Sequence, residues 1–141
     1  MPFSTIASLN PPLTLVNTQD GFLLISPVTL PSGITIAQFS SFTLTIRSDP
    51  AFPRQTAAAQ QNAQQADPTG EGWPVVFTGS GTGSVVSGAN QVSFLIPGTT
   101  PLIPGYQSMV AVVYGELMPN VIAGVTNIQL LQETWVSIYP G

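Results

Sequence analysis

Phe42-Thr43-Leu44-Thr45-Ile46-Arg47 decides the fold class. Three apolar side chains alternate with two threonines and an arginine, and a period of two places the apolar set on one face of a half-buried β-strand. A helix would scatter the same residues around its axis. Working outward, further short apolar runs read the same way. Phe22 to Leu30 follows the Asp20-Gly21 turn and is broken at Pro27, and Ile34, Ile36 and Phe39 continue at strand spacing. Val75-Val76-Phe77, Ser84-Val85-Val86 and Gln91 to Ile96 come next, the last two forming a hairpin around Gly88-Ala89-Asn90. Tyr106 to Tyr114 is apolar on both faces. Thr126 to Tyr139 is a long final strand, with Trp135, Ser137 and Tyr139 on one side and Val136 and Ile138 on the other. The doublet Leu130-Leu131 breaks that alternation and predicts a bulge.

Fourteen prolines and thirteen glycines separate these runs, which suits many strands joined by turns and opposes long helices. Strands at roughly ten-residue spacing predict an all-β domain, a β-sandwich or a small barrel. Two segments fall outside the pattern. Residues 1–18 read as an extended N-terminal arm with Pro2, Pro11 and Pro12. Its Phe3, Ile6, Leu9, Leu13 and Leu15 either lie along a neighbouring molecule or fold back as an edge strand of their own domain. Residues 19–141 form a single domain with an insert at 49–73. Inside the insert, Gln55 to Ala66 is an Ala/Gln-rich stretch free of Gly and Pro, either a short helix or a long loop.

Composition excludes more than it names. The chain has 141 residues, no His, no Cys and only eight charged side chains: Asp20, Asp49, Asp67, Glu71, Glu116 and Glu133 against Arg47 and Arg54. Charged residues make up 6% of it, against roughly 25% for ordinary soluble domains. Two cations cannot neutralise a run of phosphates or grip anionic lipid, so neither nucleic acid nor membrane is expected as a partner. No apolar run is long enough for a membrane span, and the opening lacks the basic stretch of a signal peptide. Serines are abundant, but without His or Lys there is no conventional base to activate one. No enzyme, cofactor or metal is expected. A mean hydropathy of +0.33 with so few charges points instead to self-association or docking on other proteins.

Three features invite chemistry and lose it on inspection. Gly79-Ser80-Gly81-Thr82-Gly83-Ser84 has the look of a phosphate cradle, but it lacks the lysine and is followed by strand-like valines; a flexible hairpin turn is expected. Asp67 and Glu71 are the one close carboxylate pair, without the alternating acids of a Ca²⁺ loop. Trp73, Trp135, Tyr106, Tyr114 and Tyr139 offer rings to a sugar, though aromatics at strand spacing more often pack in a core or interface. Trp73, in a Gly-Trp-Pro turn, is expected as an exposed anchor.

Phe42 to Arg47, Gly88 to Pro97, Leu102-Ile103-Pro104-Gly105-Tyr106 and Ile128 to Pro140 together resemble the small immunoglobulin-like modules of tailed-phage virions. The resemblance spans residues 40–140, and Pro104-Gly105-Tyr106 is its sharpest element. It implies an immunoglobulin-like β-sandwich and a structural role in the virion. The N-terminal arm, the Ala/Gln insert and the near absence of charge are closer to a head decoration (cement) protein, which implies a homotrimer on the capsid surface bridging subunits of the major capsid protein. A tail or baseplate adaptor of the same fold and a carbohydrate-binding module are the alternatives. The interface expected from this reading comprises Phe3, Ile6, Leu9, Leu13, Leu15, Trp73, Trp135 and Tyr139.

Overall fold

Apolar alternation builds eight antiparallel strands in the computed structural model, which describes residues 3–8, 13–66, 72–119, 121 and 127–140. In chain order these are β1 (Phe3–Ser8), β2 (Thr14–Thr18), β3 (Gly21–Pro27), β4 (Phe39–Ser48), β5 (Val75–Val86), β6 (Ala89–Pro97), β7 (Gly105–Leu117) and β8 (Ile128–Pro140), with one helix, α1 (Ala57–Ala66). The protein is all-β, as the strand periodicity predicts. The strands lie side by side in the order β1-β8-β7-β4-β5-β6-β3-β2. After β4, β5 and β6 run as neighbours, the chain returns to lay β7 beside β4, a Greek key. The sheet curls until its two edge strands, β1 and β2, approach one another.

The inner face is one apolar core. Phe22 and Leu24 of β3, Phe42, Leu44 and Ile46 of β4, Val92, Phe94 and Ile96 of β6, Met109, Ala111 and Val113 of β7, and Val136 and Ile138 of β8 all bury there. The alternation of Phe42, Leu44 and Ile46 is thus core-facing.

The curl is made in β5, where the sequence predicts a hairpin turn and the structure has a continuous strand. Residues Val75 to Ser80 pair with β4, while Gly81 to Val86 pair with β6. One strand serves both layers, and Gly79, Gly81 and Gly83 sit at the handover. Each glycine lies under a large side chain. A Cβ on Gly79 would stand 2.6 Å from the Phe77 ring, one on Gly81 2.5 Å from Phe94, and one on Gly83 2.7 Å from Phe42. The missing side chains let aromatic rings approach the backbone closely where β5 passes from one partner strand to the other.

Other departures from expectation are local. Ile36–Gln38 forms a 3-10 turn rather than a strand, and its backbone N–H at Gln38 donates to the Thr35 carbonyl. Strand β7 runs to Leu117, beyond Tyr114. The arm takes the folded-back alternative: Thr14–Thr18 pairs with β3, and Phe3–Ser8 pairs with β8. The predicted bulge is present. Between Val113 and Tyr114 the partner on β8 jumps from Gln132 to Leu130, which leaves Leu131 as the extra residue. Its side chain enters the core, and its carbonyl accepts from the Thr29 N–H in the crossover after β3. Gln132 Nε2 donates to the Pro27 carbonyl alongside.

Gly81→Ala is expected to lower stability by about 1–3 kcal/mol, because the new methyl meets both the Phe94 ring and the rigid Ser93 carbonyl. Gly98→Ala, whose nearest neighbour would be 3.7 Å away, is expected to change it by less than about 0.5 kcal/mol. Chemical denaturation of the two variants checks the difference.

Candidate interaction surface

Strand β7 buries side chains on both faces, as its sequence predicts. Met109, Ala111 and Val113 face the core, while Val110 and Val112 face outward into a second, smaller cluster with Trp73. Ala63 of α1, Tyr114 and Trp135 pack around them. The insert is therefore a roof over the outer face of β7, and the Ala/Gln stretch is a helix rather than a loop. Its N-terminus is capped by Thr56, whose Oγ1 accepts from the Ala59 N–H at 3.0 Å.

A buried polar node fastens this roof. At the start of β7 the register slips, so that Gly105 opposes Ile138 and Met109 opposes Val136. Gln107, inside this bulge, has a positive φ of 48°. That bend directs its N–H to Ser137 Oγ at 2.7 Å and its carbonyl to Gln60 Nε2 of α1 at 3.0 Å. Asp49, 2% exposed, is the hub. Its carboxylate accepts from Arg54 Nε at 2.6 Å, Arg54 Nη2 at 2.9 Å, Gln60 Nε2 at 2.6 Å and the Ala51 N–H at 2.9 Å. Its own N–H donates to the Ser108 carbonyl at 2.9 Å. Phe52 stacks over Gly105, where any side chain would collide with its ring. Four hydrogen bonds, from Arg54, Gln60 and the Ala51 N–H, converge on one carboxylate. It holds the insert in place.

Burial opposes ionisation of Asp49, but the hydrogen bonds from Arg54, the Ala51 N–H and Gln60, with the Arg54 charge, outweigh it and hold the carboxyl below its ordinary range. A carboxyl whose folded value is depressed stabilises the fold fully above its unfolded value, near ~3.9. That contribution disappears as pH falls through the folded value.

The residues expected at an interface scatter. Leu13 lies in the core and Leu15 packs against it. Trp73, expected as an exposed anchor, is 7% exposed: it is buried against Val110 and Val112, and its carbonyl accepts from Arg47 Nη1 at 2.9 Å. Trp135 lies half-buried beside it. The β1–β8 ladder sets Ile6 opposite Ile138, Thr5 opposite Tyr139 and Phe3 opposite Pro140. Leu9 lies outside the described residues, as do Asp67 and Glu71. Among the described residues no group of three or more acidic, His or Cys side chains could hold a metal ion, and no helix is long and apolar enough to cross a membrane.

Exposed apolar side chains lie elsewhere: Val75, Val85, Val86 and Met118 are exposed, and four others fall in two groups that strand reading alone misses. On the β2-β3-β6 side, register aligns Val16, Leu23 and Leu95 in one transverse row on the outer face. Val16 is 42% and Leu95 53% exposed. On the β7-β8 side, Ile128 and Leu130 are each 49% exposed, and Leu130 is paired with Tyr114. The signal was in the sequence as unbroken apolar runs, Phe22-Leu23-Leu24, Phe94-Leu95-Ile96 and Leu130-Leu131. In a half-buried strand, the middle or odd member of such a run must face out.

No family model, characterised protein or solved structure matches the chain.

Asp49→Asn is expected to cost about 3 kcal/mol at neutral pH, since at a buried position it swaps an acceptor for a donor facing Arg54, the Ala51 N–H and the buried Gln60 amide. It is also expected to flatten the acid limb of the stability–pH curve. Urea unfolding from pH 7 to pH 2.5 measures both effects.

Proposed function

We propose that the protein is a non-enzymatic structural component of a virion, a decoration protein that docks on the capsid surface and joins neighbouring subunits. The observation that carries the reading is the exposed apolar side chains Val16, Leu95, Ile128 and Leu130 on the outer face of the sheet, in a chain that is only 6% charged. Such surface is suited to persistent protein contact, where apolar burial supplies the energy and the polar rim fixes orientation. The phage assignment draws on the resemblance of residues 40–140 to virion modules, and the homotrimer and the major capsid protein as partner belong to the same proposal. A tail adaptor would share the fold and differ in copy number, hundreds per particle for a head protein against a dozen or so for a tail protein. Sugar binding through Trp73 has no support, since that ring is enclosed by its own fold.

Co-sedimentation of the purified chain with empty heads tests the proposal. Attachment is expected to survive molar salt, because screening weakens contacts between charges and leaves apolar burial intact. Quantitative release in molar salt, or no co-sedimentation at all, would refute it.

A further inference from the structure

Both arginines of the chain hold the two ends of one segment. Arg54 pairs with Asp49 where the insert begins, and Arg47 Nη1 donates to the Trp73 carbonyl at 2.9 Å where it ends. Each end is fixed to the sheet a second time. The Asp49 N–H donates to the Ser108 carbonyl, and the Ser48 N–H donates to the Pro74 carbonyl, both at 2.9 Å. The Trp73 ring packs on Val110 and Val112. Helix α1, between these ends, is attached differently.

Among the residues of α1 whose burial is described, Gln60 alone is buried, and Ala63 supplies the apolar contact with Val110, Val112 and Trp73. One methyl group and one amide are a small attachment beside the Phe, Leu, Ile and Val side chains that fill the main core. The two clusters share no residue, because β7 separates them. The ladders of β7 with β4 and with β8 are made without the helix. Taking α1 off the outer face of β7 therefore breaks no strand pairing and removes no member of the main core.

The polar link from helix to sheet is one nitrogen. Gln60 Nε2 donates to Asp49 Oδ2 at 2.6 Å and to the Gln107 carbonyl at 3.0 Å. The other donors to Asp49 are Arg54 and the Ala51 N–H, which precede α1 and stay with the carboxylate when the helix moves. Lifting α1 thus strands no buried charge, the usual penalty for breaking a buried ion pair. Among the described residues Gln60 Oε1 has no hydrogen-bond partner while it is buried, and lifting returns that oxygen to water.

We infer that α1 is a latched lid. It lifts from β7 as a unit while the eight-stranded sheet stays folded, the Gln60 amide is the latch, and opening uncovers Val110, Val112 and the Trp73 ring. Openings of this kind belong to segments with few buried apolar contacts. The device is independent of what the protein docks on.

The chain has two tryptophans, Trp73 and Trp135, and both belong to the cluster under the lid. Tryptophan emission therefore reads the lid, and far-ultraviolet dichroism reads the strands. The experiment is urea unfolding of the full chain followed by both signals, with Gln60→Ala and Gly81→Ala beside it. In the native chain the emission is expected to shift to the red at lower urea than the loss of strand dichroism. Gln60→Ala is expected to weaken closure about tenfold, the loss of one charge-assisted hydrogen bond. Its emission midpoint falls while its dichroism midpoint stays. Alanine is the better helix former, so the earlier shift cannot come from a weaker helix. Gly81→Ala is expected to do the reverse, lowering the dichroism midpoint and leaving the first emission shift in place. Amide hydrogen exchange without urea gives a second reading. Peptides covering α1 are expected to exchange about tenfold faster in Gln60→Ala, and peptides covering β4 and β7 at the native rate.

Coincident emission and dichroism transitions in the native chain would overturn the inference. So would a Gln60→Ala variant in which both midpoints fall together, or in which α1 and β7 gain exchange by the same factor.

Discussion

An aromatic ring in the space a glycine leaves open is the contact on which the architecture turns. Gly81, Gly79 and Gly83 have no Cβ to collide with the Phe94, Phe77 and Phe42 rings, which pack against the middle of β5. Because the strand bends without breaking, its first half can extend the β4 layer and its second half the β6 layer. The core is then enclosed by a single sheet. Side chains on those glycines would collide with the rings and push them off the backbone.

The second constraint is electrostatic and local. A domain this poor in charge spends one carboxylate, Asp49, entirely on internal work. The β7 bulge turns the Gln107 carbonyl outward, Gln60 bridges that carbonyl to the carboxylate, and Arg54 neutralises it. The helix has little apolar surface of its own, so packing alone would hold it weakly. Hydrogen bonds aimed at a buried anion supply the attachment, and Val110, Val112 and Trp73 are kept from water as a result.

Strand content was legible because a period of two is a strong signal wherever one face is buried. Phe42 to Arg47 and the bulge at Leu130-Leu131 could both be read directly from it. The glycine run could not, because its meaning depends on which rings lie above it, and Phe94 and Phe42 are distant in sequence. Trp73 was misjudged for a related reason. A tryptophan in a Gly-Trp-Pro turn is exposed only if nothing covers it, and what covers it is a helix whose docking depends on a carboxylate 24 residues earlier. The exposed apolar side chains Leu95 and Leu130 sit within unbroken apolar runs, but the acids that flank Ile128 and Leu130 emerge only when the β7–β8 register is known.

The ladder between β1 and β8 joins the segment that precedes every other strand to the one that follows them all. Loop-closure entropy for such a pairing must be met before its hydrogen bonds return anything. Phe3–Ser8 therefore has no ladder partner until Val136–Pro140 has been made and placed. During synthesis at the ribosome, the leading segment stays without its ladder partner for the whole of the intervening chain.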